Sequence, residues 1–164
     1  MRRTLDARLL LTGVLFATLT GLGVALVTQH VYDMRPCAWC AFQRLLYLGI
    51  AMLAAVGLVL PASKRTLAAG AAGLVAFGGL GVALYQHLVA AQAGSCGFSW
   101  AARFLYEWRL DELVPWLFQA SASCSEANVP LLGVSYALWS AQLFVLLGLG
   151  SWLAAFSSAQ AARR

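Results

Sequence analysis

The segment "RPCAWCAFQRLL", residues 35–46, combines residue types that can carry thiol redox chemistry. Cys37 and Cys40 form a C-x-x-C pair, and Arg44 follows four residues after the second cysteine. Pro36 suits the first turn of a helix, and the partial positive charge at a helix start favours a thiolate. Residues four apart on a helix share a face, so the Arg44 cation would lie beside Cys40. This spacing indicates a reactive dithiol at the start of a helix.

Two further cysteines, Cys96 and Cys124, bring the total to four. Four cysteines allow three pairings; proximity favours Cys37 with Cys40, which leaves Cys96 with Cys124. A zinc site of four thiolates is disfavoured because the second pair is widely spaced, and a c-type haem is disfavoured because Ala41, not histidine, follows the C-x-x-C pair. Disulfides that only staple loops remain an alternative to a redox pair.

The composition is that of a membrane protein. Of 164 residues, 62% are hydrophobic and 10% charged, whereas soluble domains carry about 25% charged residues. The net charge of +5 does not indicate nucleic-acid binding, because the basic residues lie at the ends of apolar segments rather than on one face. The length fits one compact membrane domain.

Four apolar segments, each long enough to cross a bilayer, define the predicted fold. We expect an all-α polytopic membrane four-helix bundle with spans at about 9–29, 43–62, 66–88 and 131–156, joined on one side by loops at about 30–42 and 89–130. The short connection "PASKRT" makes the second and third spans antiparallel neighbours. Glycines in the third span predict close packing against its neighbours.

Basic residues predict the orientation of the bundle. Cytoplasmic loops of membrane proteins are enriched in Lys and Arg, so we expect both termini in the cytoplasm and all four cysteines in the oxidising periplasm or at its membrane edge. A long apolar core without an A-x-A cleavage site favours a retained first helix over a cleaved signal peptide. The basic residues on the predicted cytoplasmic side are Arg2, Arg3, Arg8, Lys64, Arg65, Arg163 and Arg164.

The second periplasmic loop contains an amphipathic segment, "WAARFLYEWRLDELVPWLF", residues 100–118. Its aromatic residues are spaced for one helix face and its charges for another, which predicts a short helix lying in the membrane interface. Pro115 limits the length of that helix. The alternative, that the tryptophans are only interfacial anchors, is compatible with this interpretation.

A cycling dithiol at the membrane edge needs an electron acceptor that is soluble in lipid. A quinone would lie where Cys40, Arg44 and His87 meet, since His87 ends the third span on the same side. The alternatives are that Arg44 only extends its charge to the interface and that His87 is structural or faces lipid.

The chain resembles the disulfide bond formation protein B (DsbB) family of periplasm-facing, quinone-linked oxidases, and the resemblance covers nearly its whole length. The residues that carry it are "PCAWCAFQR" (36–44), "YQH" (85–87), Cys96, "VPWLF…C" (114–124) and "LLGVSYALW" (131–139).

The resemblance implies a multi-pass protein of the bacterial inner membrane. It implies that a reduced DsbA-like protein attacks the Cys96–Cys124 disulfide and forms a mixed disulfide with Cys96. The resulting dithiol would reduce, or exchange with, the pair Cys37–Cys40, and Cys40 would pass electrons to ubiquinone or menaquinone beside Arg44.

Two other membrane proteins remain as alternatives. A structural or transport four-helix protein with stapling disulfides would need buried polar groups along its spans, and we expect almost none. A vitamin-K-epoxide-reductase-like enzyme would carry its C-x-x-C near the fourth span, whereas here the pair opens the second.

Overall fold

A computed structural model describes residues 6–92 and 99–163. Among these residues, four helices are long and apolar enough to cross a membrane, which confirms the predicted all-α membrane bundle. In chain order the elements are α1 (Ala7–His30), α2 (Ala38–Val59), α3 (Ala62–Tyr85), a π-helical turn (Gln86–Ala90), α4 (Trp100–Glu107), α5 (Leu110–Leu113), α6 (Pro115–Phe118), α7 (Cys124–Ala127), β1 (Pro130–Leu131), β2 (Val134–Ser135) and α8 (Tyr136–Ala162).

The four long helices pack as an up-and-down bundle in which α3 lies against α2 and α8, and α1 lies against α2 and α8. Small residues bring α3 and α8 close together. A Cβ atom on Gly79 would lie 2.3 Å from the Phe144 ring, so no larger residue fits there without displacing the ring. Phe144 in turn stacks on Tyr47 of α2 at a centroid distance of 4.4 Å.

The ends of two long helices differ from the predicted spans. Helix α2 begins at Ala38, with Cys37 as its N-cap residue, so Pro36 precedes the helix instead of forming its first turn. Helix α8 begins at Tyr136 rather than near 131, because residues 130–135 form a two-stranded turn. Leu132 and Gly133 have φ values of 54° and 81°, which no helix continues through.

The predicted single helix over 100–118 is wrong in one respect, since the segment forms the three short helices α4, α5 and α6. Arg109 adopts a left-handed backbone conformation with φ of 50°, which interrupts the helix after α4. Pro115 opens α6, where its missing N–H costs nothing. The location of these helices in a membrane interface remains a prediction.

Candidate active site

The cysteine pair lies at the start of α2. Cys37 is the N-cap residue and fully buried, and Cys40 is half-buried in the first turn. Both are free thiols with their sulfur atoms 3.4 Å apart, and Cys37 donates to Cys40. This hydrogen bond, together with burial, raises the pKa of Cys37. Within the pair Cys37 is thus the hydrogen-bond donor and the Cys40 sulfur is the acceptor.

The segment that carries Cys124 packs against this pair. Cys124 is buried, is disulfide-bonded, and shares one apolar cluster with Cys37 and Ala127; Cys96 lies outside the described residues. The carbonyl oxygen of Pro36 accepts hydrogen bonds from the backbone N–H groups of Ser121 at 3.0 Å and Ala122 at 3.2 Å. The structure thus holds the chain just before Cys124 against the chain just before Cys37.

A cavity of about 350 Å³ opens beside Cys40. Its wall is formed by α1, α2, α8 and the turn at 131–132, with the buried amide of Gln86 at one side. Apolar side chains such as Val24 and Leu143 supply much of the wall. The polar groups are few and come mainly from α2 and α8: Cys40, Gln43, Arg44, Tyr47, Tyr136 and Ser140.

Arg44 lines this cavity and is 5% exposed. Its guanidinium donates to the carbonyl of Leu117 at 2.8 Å, to the carbonyl of Ala25 at 3.3 Å, and to the side-chain amide of Gln29. The interpretation of Arg44 as a snorkelling residue is therefore wrong, because its donors bind groups inside the protein. Arg44 ties α2 to α1 and to α6 at the edge of the cavity.

A chain of uncharged polar groups leads from the cysteines along the cavity. Gln86, fully buried, donates to the Cys40 sulfur at 3.1 Å and accepts from the amide of Gln43 at 2.6 Å. Gln43 accepts in turn from the hydroxyl of Ser140, which bonds the hydroxyl of Tyr47 at 2.6 Å. The expectation that the spans hold almost no buried polar groups is wrong at this position.

A feature of the backbone marks one end of this chain of polar groups. Gln86 opens the π-helical turn, and such turns occur frequently at functional sites. It lies within "YQH", and Gln43 lies within "CAFQR". In each motif a thiol, a guanidinium or an imidazole indicates chemistry more directly than the neutral glutamine beside it, so sequence reasoning missed both glutamines.

His87 is displaced from this cavity. It lies in the π-helical turn, is half-buried, and its Nδ1 atom is 3.0 Å from the hydroxyl oxygen of Ser135. It is not among the described residues that line the cavity beside Cys40. A role for His87 in quinone binding remains a prediction.

The sequence is similar to that of known membrane proteins. The family described as "Disulfide bond formation protein DsbB" matches residues 7–154. A "Disulfide bond formation protein B" of Dechloromonas aromatica is 39% identical over 140 residues, which cover 79% of this chain and 83% of that protein. A protein of the same name from Herminiimonas arsenicoxydans is 31% identical, covering 88% and 92%. "Disulfide bond formation protein B 2" of Pseudomonas aeruginosa is 36% identical, covering 87% of each chain. No solved structure matches significantly.

Proposed function

The chain belongs to the DsbB family of disulfide bond formation membrane proteins, and we propose that it is a quinone-dependent thiol oxidase of the bacterial inner membrane. Its substrate would be a reduced DsbA-like periplasmic protein. Electrons would pass through Cys96–Cys124 and then Cys37–Cys40 to ubiquinone or menaquinone. The observation that carries this proposal is the position of the Cys40 sulfur, which contacts Cys37 and also lines the cavity.

The cavity fits an uncharged ring with polar oxygens. Its volume of about 350 Å³ lies in the usual range for small-molecule sites, which are largely apolar with a few placed polar groups. Arg44 and the hydroxyl pair Tyr47–Ser140 supply such groups on its wall. When bound, a quinone would accept the two electrons and two protons that leave as the Cys37–Cys40 dithiol closes to a disulfide.

Burial favours Cys96 as the sulfur that the soluble partner attacks. Cys124 is 0% exposed, and thiol exchange needs access to the attacked sulfur. The incoming thiolate would form a bond to Cys96, the Cys96–Cys124 bond would break, and Cys124 would leave as a thiolate. The partner's second thiolate would then displace Cys96, which completes the oxidation of the partner.

The second exchange is supported by the apolar cluster that Cys124 and Cys37 share. The Cys124 thiolate would attack Cys37 in the oxidised pair, break the Cys37–Cys40 bond and release the Cys40 sulfur as a thiolate beside the cavity. The amide of Gln86 already donates to that sulfur at 3.1 Å. A hydrogen bond to a charged group contributes about 1.5–3 kcal/mol, so Gln86 would stabilise the released anion. The Cys96 thiolate would then attack Cys124, break the Cys37–Cys124 bond and release Cys37 as a thiolate, so that Cys96–Cys124 is restored and the Cys37–Cys40 dithiol is left for oxidation.

The positive-inside pattern supports the orientation that this path needs. Lys64 and Arg65 lie in the first turn of α3, directly after its short connection to α2, at the end of the bundle opposite the cysteines. We therefore propose that both termini face the cytoplasm and that residues 31–37 and 99–135 face the periplasm.

The decisive experiment is quinone reduction by the purified protein in detergent. A reduced periplasmic dithiol protein is the electron donor, and the absorbance of a short-chain ubiquinone or menaquinone is followed. We expect turnover by the wild-type protein, and loss of turnover in Cys96→Ser and in Cys40→Ser. A Ser63→Ala variant, which keeps all four cysteines and changes an exposed residue at the opposite end of the bundle, is the matched control.

Two outcomes would contradict the proposal. Absence of turnover with either quinone, with both disulfides formed, would favour a structural four-helix protein with stapled loops. Full turnover by Cys40→Ser would show that Cys40 is not the sulfur that delivers electrons to the quinone.

A further inference from the structure

Two hydroxyl groups, one on α2 and one on α8, lie in the cavity wall deeper in the bundle than the cysteines. Tyr47 is 5% exposed, lines the cavity beside Ser140 of α8, and its hydroxyl oxygen is 2.6 Å from that of Ser140. The Tyr47 ring is fixed by its stack on Phe144, with the ring planes 11° apart. The hydroxyl is thus held in place inside an otherwise apolar wall.

The hydrogen-bond chain determines which way the Tyr47 proton points. The Ser140 hydroxyl donates to the Oε1 atom of Gln43, and the Gln43 amide donates to Gln86. The Ser140 proton is therefore already committed, so the Tyr47 O–H must be the donor between the two hydroxyls. A hydroxyl proton rotates to suit its acceptor. The Tyr47 O–H can thus turn from Ser140 to a ligand while Ser140 keeps its bond to Gln43.

Arg44 and Tyr47 lie at successive levels along the cavity wall. The two residues are three apart on α2, an axial separation of about 4.5 Å. Both line the same cavity. One ring carbonyl near Arg44 and Cys40 would leave the opposite carbonyl near the hydroxyl pair.

The geometry points to Tyr47, supported by Ser140, as the hydrogen-bond donor to the second carbonyl oxygen of the bound quinone. This inference rests on the proposed function and adds a residue that positions the ring. The two carbonyls of the ring would then have different partners: the Cys40 sulfur and the Arg44 guanidinium near one, and the Tyr47 hydroxyl near the other. Tyr47 lines the cavity, whereas the His87 ring lies 3.0 Å from the hydroxyl of Ser135.

Binding of a short-chain ubiquinone to Tyr47→Phe tests the inference without requiring turnover. Trp139 lines the cavity, so quenching of tryptophan fluorescence reports occupancy. Removal of one neutral hydrogen bond should weaken binding about threefold to tenfold. The phenylalanine keeps the stack on Phe144, and Tyr32→Phe is the matched control because Tyr32 is 70% exposed and lies outside the cavity.

A second measurement uses the wild-type protein alone. Infrared difference spectra are recorded with ubiquinone labelled with ¹³C at each ring carbonyl in turn. We expect both carbonyl stretches to lie below their frequencies in hydrocarbon solvent, and the stretch of the carbonyl distant from Cys40 to move back up in Tyr47→Phe.

The outcomes separate this inference from the function on which it rests. Failure of the wild-type protein to bind or reduce quinone would overturn the proposed function. Normal wild-type binding, with unchanged affinity in Tyr47→Phe, would overturn only the role of Tyr47. If Tyr47→Phe does not fold, the wild-type spectrum alone decides. A shift of only one carbonyl stretch would overturn the role of Tyr47, and a shift of both would support it.

Discussion

The substitution Arg44→Leu should weaken the attachment of α6 to the bundle as well as the use of quinone. In the structure Arg44 donates to the carbonyls of Leu117 and Ala25 and to the amide of Gln29. Leucine has a comparable apolar stem but no donor, so the Leu117 carbonyl and the Gln29 side-chain oxygen lose this donor, whereas the Ala25 carbonyl keeps the hydroxyl of Thr28. The effect should therefore reach from α2 into a segment more than seventy residues away in sequence.

The magnitude follows from the burial of these acceptors. Leaving a buried polar group unpaired costs about 1–3 kcal/mol. Water can enter from the adjacent cavity and satisfy part of the loss, so for the Leu117 and Gln29 acceptors together we expect about 2–4 kcal/mol, in the lower part of the summed range. Arg103→Leu is the matched control, because that side chain is 74% exposed and its ion pair with Glu107 lies on the surface. Such pairs contribute about 0–1 kcal/mol.

Hydrogen exchange in detergent micelles measures the attachment of α6 directly. The amides of Leu117 and Phe118 are hydrogen-bonded to the carbonyl of Val114 and should exchange at least tenfold faster in Arg44→Leu. The KM for quinone should rise in the same variant. Unchanged protection of both amides in Arg44→Leu, with the control also unchanged, would refute the reasoning, because the three hydrogen bonds would then contribute nothing to the fold.

Three further predictions concern separate parts of the molecule. Gln86→Leu should slow alkylation of Cys40 at neutral pH about tenfold, because the anion loses its N–H donor; an unchanged rate would exclude that stabilisation. Gly79→Ala should lower the melting temperature, because overpacking costs about 1–3 kcal/mol, whereas Gly78→Ala, with open space around it, should not; equal shifts would contradict the packing. Hydrogen bonds from the backbone and hydroxyl of the α7 N-cap serine lower the pKa of Glu126. The stabilisation of α7 by the Glu126 carboxylate is therefore complete above the ordinary pKa of glutamate and is lost as pH falls through the lowered pKa. Protection of the α7 amides relative to their intrinsic exchange rates should fall at acid pH in the wild-type protein and not in Glu126→Gln; equal loss in both proteins would contradict this.

The sequence alone determined the membrane class, the number of long helices and the thiol pair at the start of the second. These properties follow from local composition: a run of about 20 apolar residues makes a span, and two cysteines three apart stay close in almost any backbone. Arg44 was identified for a similar reason, because residues four apart on a helix share a face. The family motifs around these residues added Cys96 and Cys124.

Tertiary structure decided the contacts between segments distant in sequence. Gln86 reaches the Cys40 sulfur only because the π-helical turn at the end of α3 packs against the start of α2. Tyr47 and Ser140 meet across two helices, and neither residue type is unusual at its position. Local pattern also failed in the segment 100–118, where the left-handed Arg109 breaks an otherwise regular amphipathic period. Spacing along one helix is fixed by its geometry, whereas which polar groups share a cavity depends on how all the helices pack.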